Sequence, residues 1–140
     1  AQALAPGPAV PRASADAPMI VTMTFDTHGR TMMGVKPEDA AITLSGWGAA
    51  AIGGNCGNGP DEIYAVVEKM RAALPQATLV AKSNAGLPVL KAGRAVYGAG
   101  PDEMAAYAQK VRSLGATIIG ACCGSTPAHI KSMADALRAI

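Results

Sequence analysis

A chain of 140 residues that is 50% hydrophobic has the length of one domain and enough apolar side chains to bury a core. Its formal net charge of +2 includes no basic stripe, which argues against nucleic acid as a partner, and no apolar run approaches the roughly 20 residues that cross a bilayer. Three cysteines, an odd number with an adjacent pair, make a poor disulfide framework. Reduced thiols imply a reducing compartment, so the expected location is the cytoplasm.

Residues 1–17 set Pro6, Pro8 and Pro11 among alanines. They lack a basic segment followed by an unbroken apolar core, so they read as a linker or frayed lead-in and not as a signal peptide. The first residue is Ala1, which fits a processed product or a fragment. From residue 18 to 140 a weak repeat takes over: an apolar run, a loop, a proline at a helix start, then an amphipathic helix. The first run is Met19–Phe25, followed by the polar loop Asp26-Thr27-His28-Gly29-Arg30, across which Asp26 and Arg30 could pair. Lys36-Pro37-Glu38-Asp39 starts a short helix near residues 40–47, and Trp47 ends it. The second run, Ala50–Cys56, leads to Gly59-Pro60-Asp61-Glu62 and a helix whose core face is Ile63, Val66, Val67, Met70 and Leu74. The third, Thr78–Ser83, leads through Asn84-Ala85-Gly86-Leu87-Pro88 to Gly100-Pro101-Asp102-Glu103 and a helix buried through Met104, Tyr107, Ala108, Val111 and Leu114. The fourth, Thr117–Cys122, precedes Thr126-Pro127-Ala128-His129 and a helix buried through Ile130, Met133, Ala134 and Leu137.

Proline suits the first helical position because the amide it lacks would be unpaired there. Acids in the first turn suit the positive helix end, and Thr126 suits an N-cap. The runs are continuously apolar, as in strands buried on both faces. The order βαβαβαβα is an α/β fold: either a small doubly wound sheet or half of a (β/α)8 barrel, since a full barrel takes about 250 residues.

Functional groups in such folds gather at the carboxyl ends of the strands. All three thiols of the chain lie there: Cys56 ends one run, and Cys122 and Cys123 end another. Three thiolates at a rim suit a zinc ion with one exchangeable position. Adjacent cysteines converge only where the backbone turns, and the flanking Gly120 and Gly124 permit a turn. Such a site suits activation of a thiol substrate, because the thiolate is the nucleophile. It would attack an electrophilic carbon, most simply a methyl group.

These residues resemble the two zinc motifs of the homocysteine S-methyltransferases. The resemblance lies in Gly53-Gly54-Asn55-Cys56 and in Gly120-Ala121-Cys122-Cys123-Gly124-Ser125-Thr126-Pro127 with His129-Ile130. Thr22-Met23-Thr24-Phe25-Asp26, with Gly29-Arg30-Thr31 and Gly34, is similar to the family's fifth-strand segment, and Asn84-Ala85-Gly86-Leu87-Pro88 to the loop after its seventh strand. The resemblance implies a (β/α)8 barrel of which this chain supplies the second half, with zinc held by Cys56, Cys122 and Cys123. It implies that homocysteine adds the fourth thiolate and takes a methyl group from betaine, a methylated sulfonium compound or methylcobalamin, giving methionine. Ala121 stands where the family usually has glycine and Ser83 where many members have proline. The family's first four strands are absent, so contacts to homocysteine's amino and carboxylate groups are expected from elsewhere. The isolated chain is expected to be inactive, and a complementary N-terminal half or a second copy is the expected partner.

Asn55, Asn84 and Thr24 are the candidate substrate-binding residues, and loop capping is the competing role for both asparagines. Thr22 and Thr24 share one strand face. Lys82 lies near the rim, as a solvated lysine or a carboxylate binder. His129 is read as a helix-start residue and His28 as solvated.

Overall fold

The computed structural model describes residues 17–140; the lead-in expected before them lies outside the described residues but for Ala17. The elements run β1 (Ile20–Met23), α1 (Pro37–Gly46), β2 (Ala51–Cys56), α2 (Pro60–Ala73), β3 (Leu79–Ser83), β4 (Pro88–Lys91), β5 (Arg94–Tyr97), α3 (Pro101–Ser113), β6 (Ala116–Ala121) and α4 (Pro127–Arg138). Each expected strand and helix is present, shifted by a few residues at its ends. All four helices begin on the proline of their start motif.

The main sheet has the order β1-β2-β3-β6 and is parallel throughout. Successive strands are neighbours, as four consecutive βα units require. Two glycines set how closely this sheet packs. At Gly53 a Cβ would overlap the Val80 carbonyl of the next strand, and at Gly54 it would press on Val66 and Ile63 of α2. Any side chain at either position would push an element away.

The core lies between the sheet and its helices. Ile52, Leu79 and Ala81 face Ile63, Val66, Val67 and Met70 of α2 and Met104, Tyr107 and Val111 of α3. The strands are not all buried on both faces, as their apolar sequences had suggested. β2 is buried along most of its length, but Ile20 of β1 is 56% exposed and Ile118 of β6 is 37% exposed. β1 and β6 are the sheet edges among the described residues.

One element was not foreseen. β4 and β5 form a separate antiparallel hairpin between β3 and α3, pairing Pro88 with Tyr97 and Lys91 with Arg94. Its turn puts both Ala92 (φ 48°) and Gly93 (φ 75°) in the left-handed region, the backbone of a two-residue type I′ turn. That turn favours Asn-Gly or Asp-Gly, so Ala92-Gly93 gives little signal. Among the described residues no helix is long and apolar enough to cross a membrane.

Tyr107 couples this core to the rim. Its ring is fully buried and its hydroxyl accepts the Ser83 amide at 3.1 Å. Tyr107→Phe strands that buried N–H, and the expected loss is about 1–3 kcal/mol of unfolding free energy with unchanged circular dichroism. Urea denaturation measures it; an unmoved midpoint would contradict this role.

Candidate metal centre

Cys56 closes β2 in a left-handed conformation (φ 58°), which is uncommon for a residue with a Cβ. Gly57 follows at φ 71°, so the chain turns sharply off the strand. Glu62, in the first turn of α2, holds this turn by accepting the Asn58 amide at 2.9 Å and its side-chain NH₂ at 3.2 Å. The second cysteine loop leaves β6 after Ala121. Cys122 donates its amide to the Ser83 carbonyl at 2.7 Å, and Gly124 (φ 80°) makes the turn. Of the two glycines expected to bend the chain, only Gly124 does so. Gly120 stays within β6, beside the Lys82 stem, whose Cγ lies at ordinary contact distance, 3.5 Å, from where a Cβ would sit.

Asn84 joins the two loops. Its side-chain NH₂ donates to the Gly57 carbonyl at 2.7 Å, and its Oδ1 accepts the Cys123 amide at 3.0 Å. The backbone repeats the stitch, with the Ala85 amide on the Cys123 carbonyl at 2.9 Å. Asn84 itself is 7% exposed, and its partners lie nearer the surface.

The result brings the three cysteines together. Cys56 Sγ lies 2.8 Å from Cys122 Sγ, Cys122 Sγ lies 4.0 Å from Cys123 Sγ, and all three sulfurs fall within 4.8 Å of one another as free thiols. Thiolates at 2.3 Å around a tetrahedral zinc would be about 3.8 Å apart. The sulfurs straddle that spacing, so the donor set fits the ion in chemistry and in reach. Burial pushes the Cys56 thiol up, but hydrogen bonds from Cys122, Asn55 and Cys123 and the charge of Lys82 outweigh it and bring it below its ordinary value. Cys122 is pushed up to about 11 by burial and by its neighbour Cys56. The pair thus favours one thiolate and one thiol.

Asn55 and Thr24 stand beside the sulfurs. The Asn55 NH₂ donates to Thr24 Oγ1 at 3.2 Å and lies 3.1 Å from Cys56 Sγ. Other singled-out residues have structural partners. His129 accepts the Thr126 amide on Nδ1 at 3.1 Å, which leaves Nε2–H to donate to the Ala99 carbonyl at 3.1 Å. Asp26 and Arg30 do not pair: Asp26 accepts from the Thr27 hydroxyl and Arg30 donates to the Gly34 carbonyl. His28 is exposed in its turn, and Trp47 caps the end of α1. Tyr97 was not anticipated. It ends the unforeseen hairpin, and its ring packs so closely on Gly124 that a Cβ there would overlap it. Burial and then the neighbouring Cys123 raise its phenol above the ordinary range.

The sequence profile of the family described as Homocysteine S-methyltransferase matches residues 3–137. The methionine synthase of Mycobacterium tuberculosis is 36% identical over 135 residues, covering 94% of this chain and 11% of that protein. The S-methylmethionine–homocysteine S-methyltransferase of Pongo abelii is 29% identical over 138 residues, covering 87% of this chain and 38% of that protein. The chain therefore spans well under half the length of these relatives. Among solved structures, the apo homocysteine methyltransferase MmuM from Escherichia coli shares the fold with a TM-score of 0.65 at 22% identity, over 86% of this chain and 40% of that one.

The unequal thiols predict an order of reaction. In the metal-free chain near neutral pH, iodoacetamide is expected to label Cys56 before Cys122, because the Cys56 thiol is held below its ordinary value and the Cys122 thiol above it. Peptide mapping by mass spectrometry reads the order, and Cys122 labelled first would contradict the assignment.

Proposed function

This chain belongs to the homocysteine S-methyltransferase family, and we propose that it carries the zinc-binding, thiol-activating part of an enzyme that methylates homocysteine to methionine. The observation that carries this reading is the convergence of Cys56, Cys122 and Cys123 at the carboxyl end of a parallel sheet. These three cysteines would hold the ion. A zinc ion bound there supplies a Lewis acid that keeps a further thiol deprotonated near neutral pH.

The chain's own residues set the geometry. Asn84 spends both ends of its amide on the cysteine loops, so we read it as a positioning residue and not as a substrate contact. Asn55 holds the Cys56 side, steadied by Thr24, and its Oδ1 has no hydrogen-bond partner among the described residues. Asn55 and Thr24 are therefore the substrate-facing pair, with Oδ1 an acceptor for a donor on the amino acid. In the reaction a sulfur lone pair forms the new S–CH₃ bond, and the donor leaves with the electron pair of the bond that breaks. The thiol proton is lost to solvent. Betaine, a methylated sulfonium compound and methylcobalamin all satisfy that balance.

A second reading is a non-catalytic zinc-binding half that needs a partner. The open edges of β1 and β6 favour it, as does an apolar groove lined by Met23, Val35, Ile42, Leu44 and Trp47. The partner would be a polypeptide supplying the complementary strands, or a second copy of this chain. Under both readings the location is expected to be cytoplasmic, where the thiols stay reduced.

Metal analysis of freshly reduced protein tests the shared premise. About one zinc per chain is expected, lost in Cys56→Ser and in Cys122→Ser. Zinc-free wild-type protein with three freely titrating thiols would refute it. The isolated chain is expected to form no methionine from homocysteine with any of the three donor classes; methionine formed by it alone would refute the second reading.

Asn84→Ala is expected to weaken zinc about 10–100-fold while leaving all three ligands in place. Competition with a chelating dye reads the change, and unchanged affinity would remove Asn84 from the positioning role.

A further inference from the structure

We propose that Lys82 binds a carboxylate beside the three sulfurs, and that this carboxylate belongs to the thiol amino acid. The proposal rests on the reading of homocysteine as methyl acceptor, and names a contact on this chain for the group that the sequence left without one.

Lys82 is the exception on its strand. Its neighbours Ala81 and Ser83 are fully buried against the helices, while Lys82 is exposed on the opposite face. In the sheet register it stands between Asn55 of β2 and Gly120 of β6, so all three form one row. The ends of that row lead into the metal centre, since Cys56 follows Asn55 and Cys122 lies two residues beyond Gly120. The aliphatic stem of Lys82 lies over Gly120, with Cγ 3.5 Å and Cε 3.9 Å from where a Cβ would be. A stem laid against β6 runs along the row that leads to both cysteine loops.

That ammonium has no partner. Among the described residues both ion pairs involve Asp135 on α4, and no hydrogen bond engages Lys82. The first-turn acids of α1, α2 and α3 lie at the starts of the helices, not in this row. An unpaired ammonium with three rotatable donors, beside a site that takes a thiol, suits the carboxylate of a small amino acid. A thiolate at the metal and a carboxylate at Lys82 are the two anionic ends of homocysteine, and Asn55 in the same row is placed for what lies between.

A carboxylate is also present in donors such as betaine, so the test must separate the two sources. Cobalt(II) is loaded in place of zinc in the full 140-residue chain, and thiol binding is read from its visible spectrum. Homocysteine and 3-aminopropanethiol, which lacks the carboxylate, are titrated separately. Wild-type protein is expected to prefer homocysteine about tenfold, the value of one charge-assisted hydrogen bond. Lys82→Met keeps the stem and is expected to bring the two thiols to within about twofold, while Lys82→Arg retains the preference. Cobalt affinity and spectrum should be the same in all three proteins. A preference that survives Lys82→Met overturns the proposal. So does a thiol ratio that stays unchanged while a preference for betaine over choline, added as competitors, disappears; the carboxylate would then be the donor's. If neither thiol alters the wild-type spectrum, the methyl-acceptor reading itself fails. A failure confined to Lys82 leaves both thiols bound.

Discussion

The Asn84 side chain, wedged between two loops, is the interaction on which the site depends. Cys56 and the Cys122-Cys123 pair lie on strands separated by β3, so no direct strand pairing joins them. Asn84 follows β3 and satisfies one backbone group on each side, the Gly57 carbonyl and the Cys123 amide. It works with the backbone bonds of Asn84 to the Cys56 carbonyl, Ala85 to the Cys123 carbonyl and Cys122 to the Ser83 carbonyl, which tie both loops to the same strand end. Tyr107 fixes the same strand end from beneath through the Ser83 amide. The cysteine cluster therefore takes its geometry from β3, which supplies none of the three sulfurs.

The same crowding sets the chemistry of the thiols. Two sulfurs 2.8 Å apart cannot both ionise cheaply, and burial raises that cost. Asn55 and Lys82 bias the shared charge towards Cys56. A dication held there would relieve the conflict by neutralising the charge that the thiols otherwise resist. The folded loops thus hold the donors at a separation that is unfavourable without a cation and close to that required with one.

Much of this was legible in the sequence because it rests on local rules. Proline marked all four helix starts, apolar periodicity marked helix faces except at Ile130, which was expected to be buried and is 48% exposed on α4, and glycine-flanked cysteines at the ends of apolar runs marked the cluster. What escaped depended on distant neighbours. The hairpin was hidden because Ala92-Gly93 adopts a turn usually signalled by Asn or Asp, and Tyr97 was hidden with it. Gly120 looked like a hinge, but it is a strand residue paired with Lys82, 38 positions earlier in the chain and adjacent only in the sheet. Asn84 was readable as a rim residue; that both ends of its amide are occupied needed the positions of Gly57 and Cys123. The exposure of Ile20 and Ile118 likewise followed from strand order, which the apolar runs do not encode.

The two sheet edges that the described residues leave unpaired have a consequence for how copies of this chain meet. β1 and β6 run parallel in the sheet and present different rows of backbone donors and acceptors. Parallel pairing of β1 of one copy with β6 of the next joins unlike surfaces, a heterologous contact with no two-fold axis across the new strand pair. Such contacts have two endings: the curvature of the sheets closes a ring, or each addition exposes a fresh edge and growth continues as a filament. Sheet curvature, more than the affinity of one edge for another, thereby selects between a finite assembly and an insoluble one.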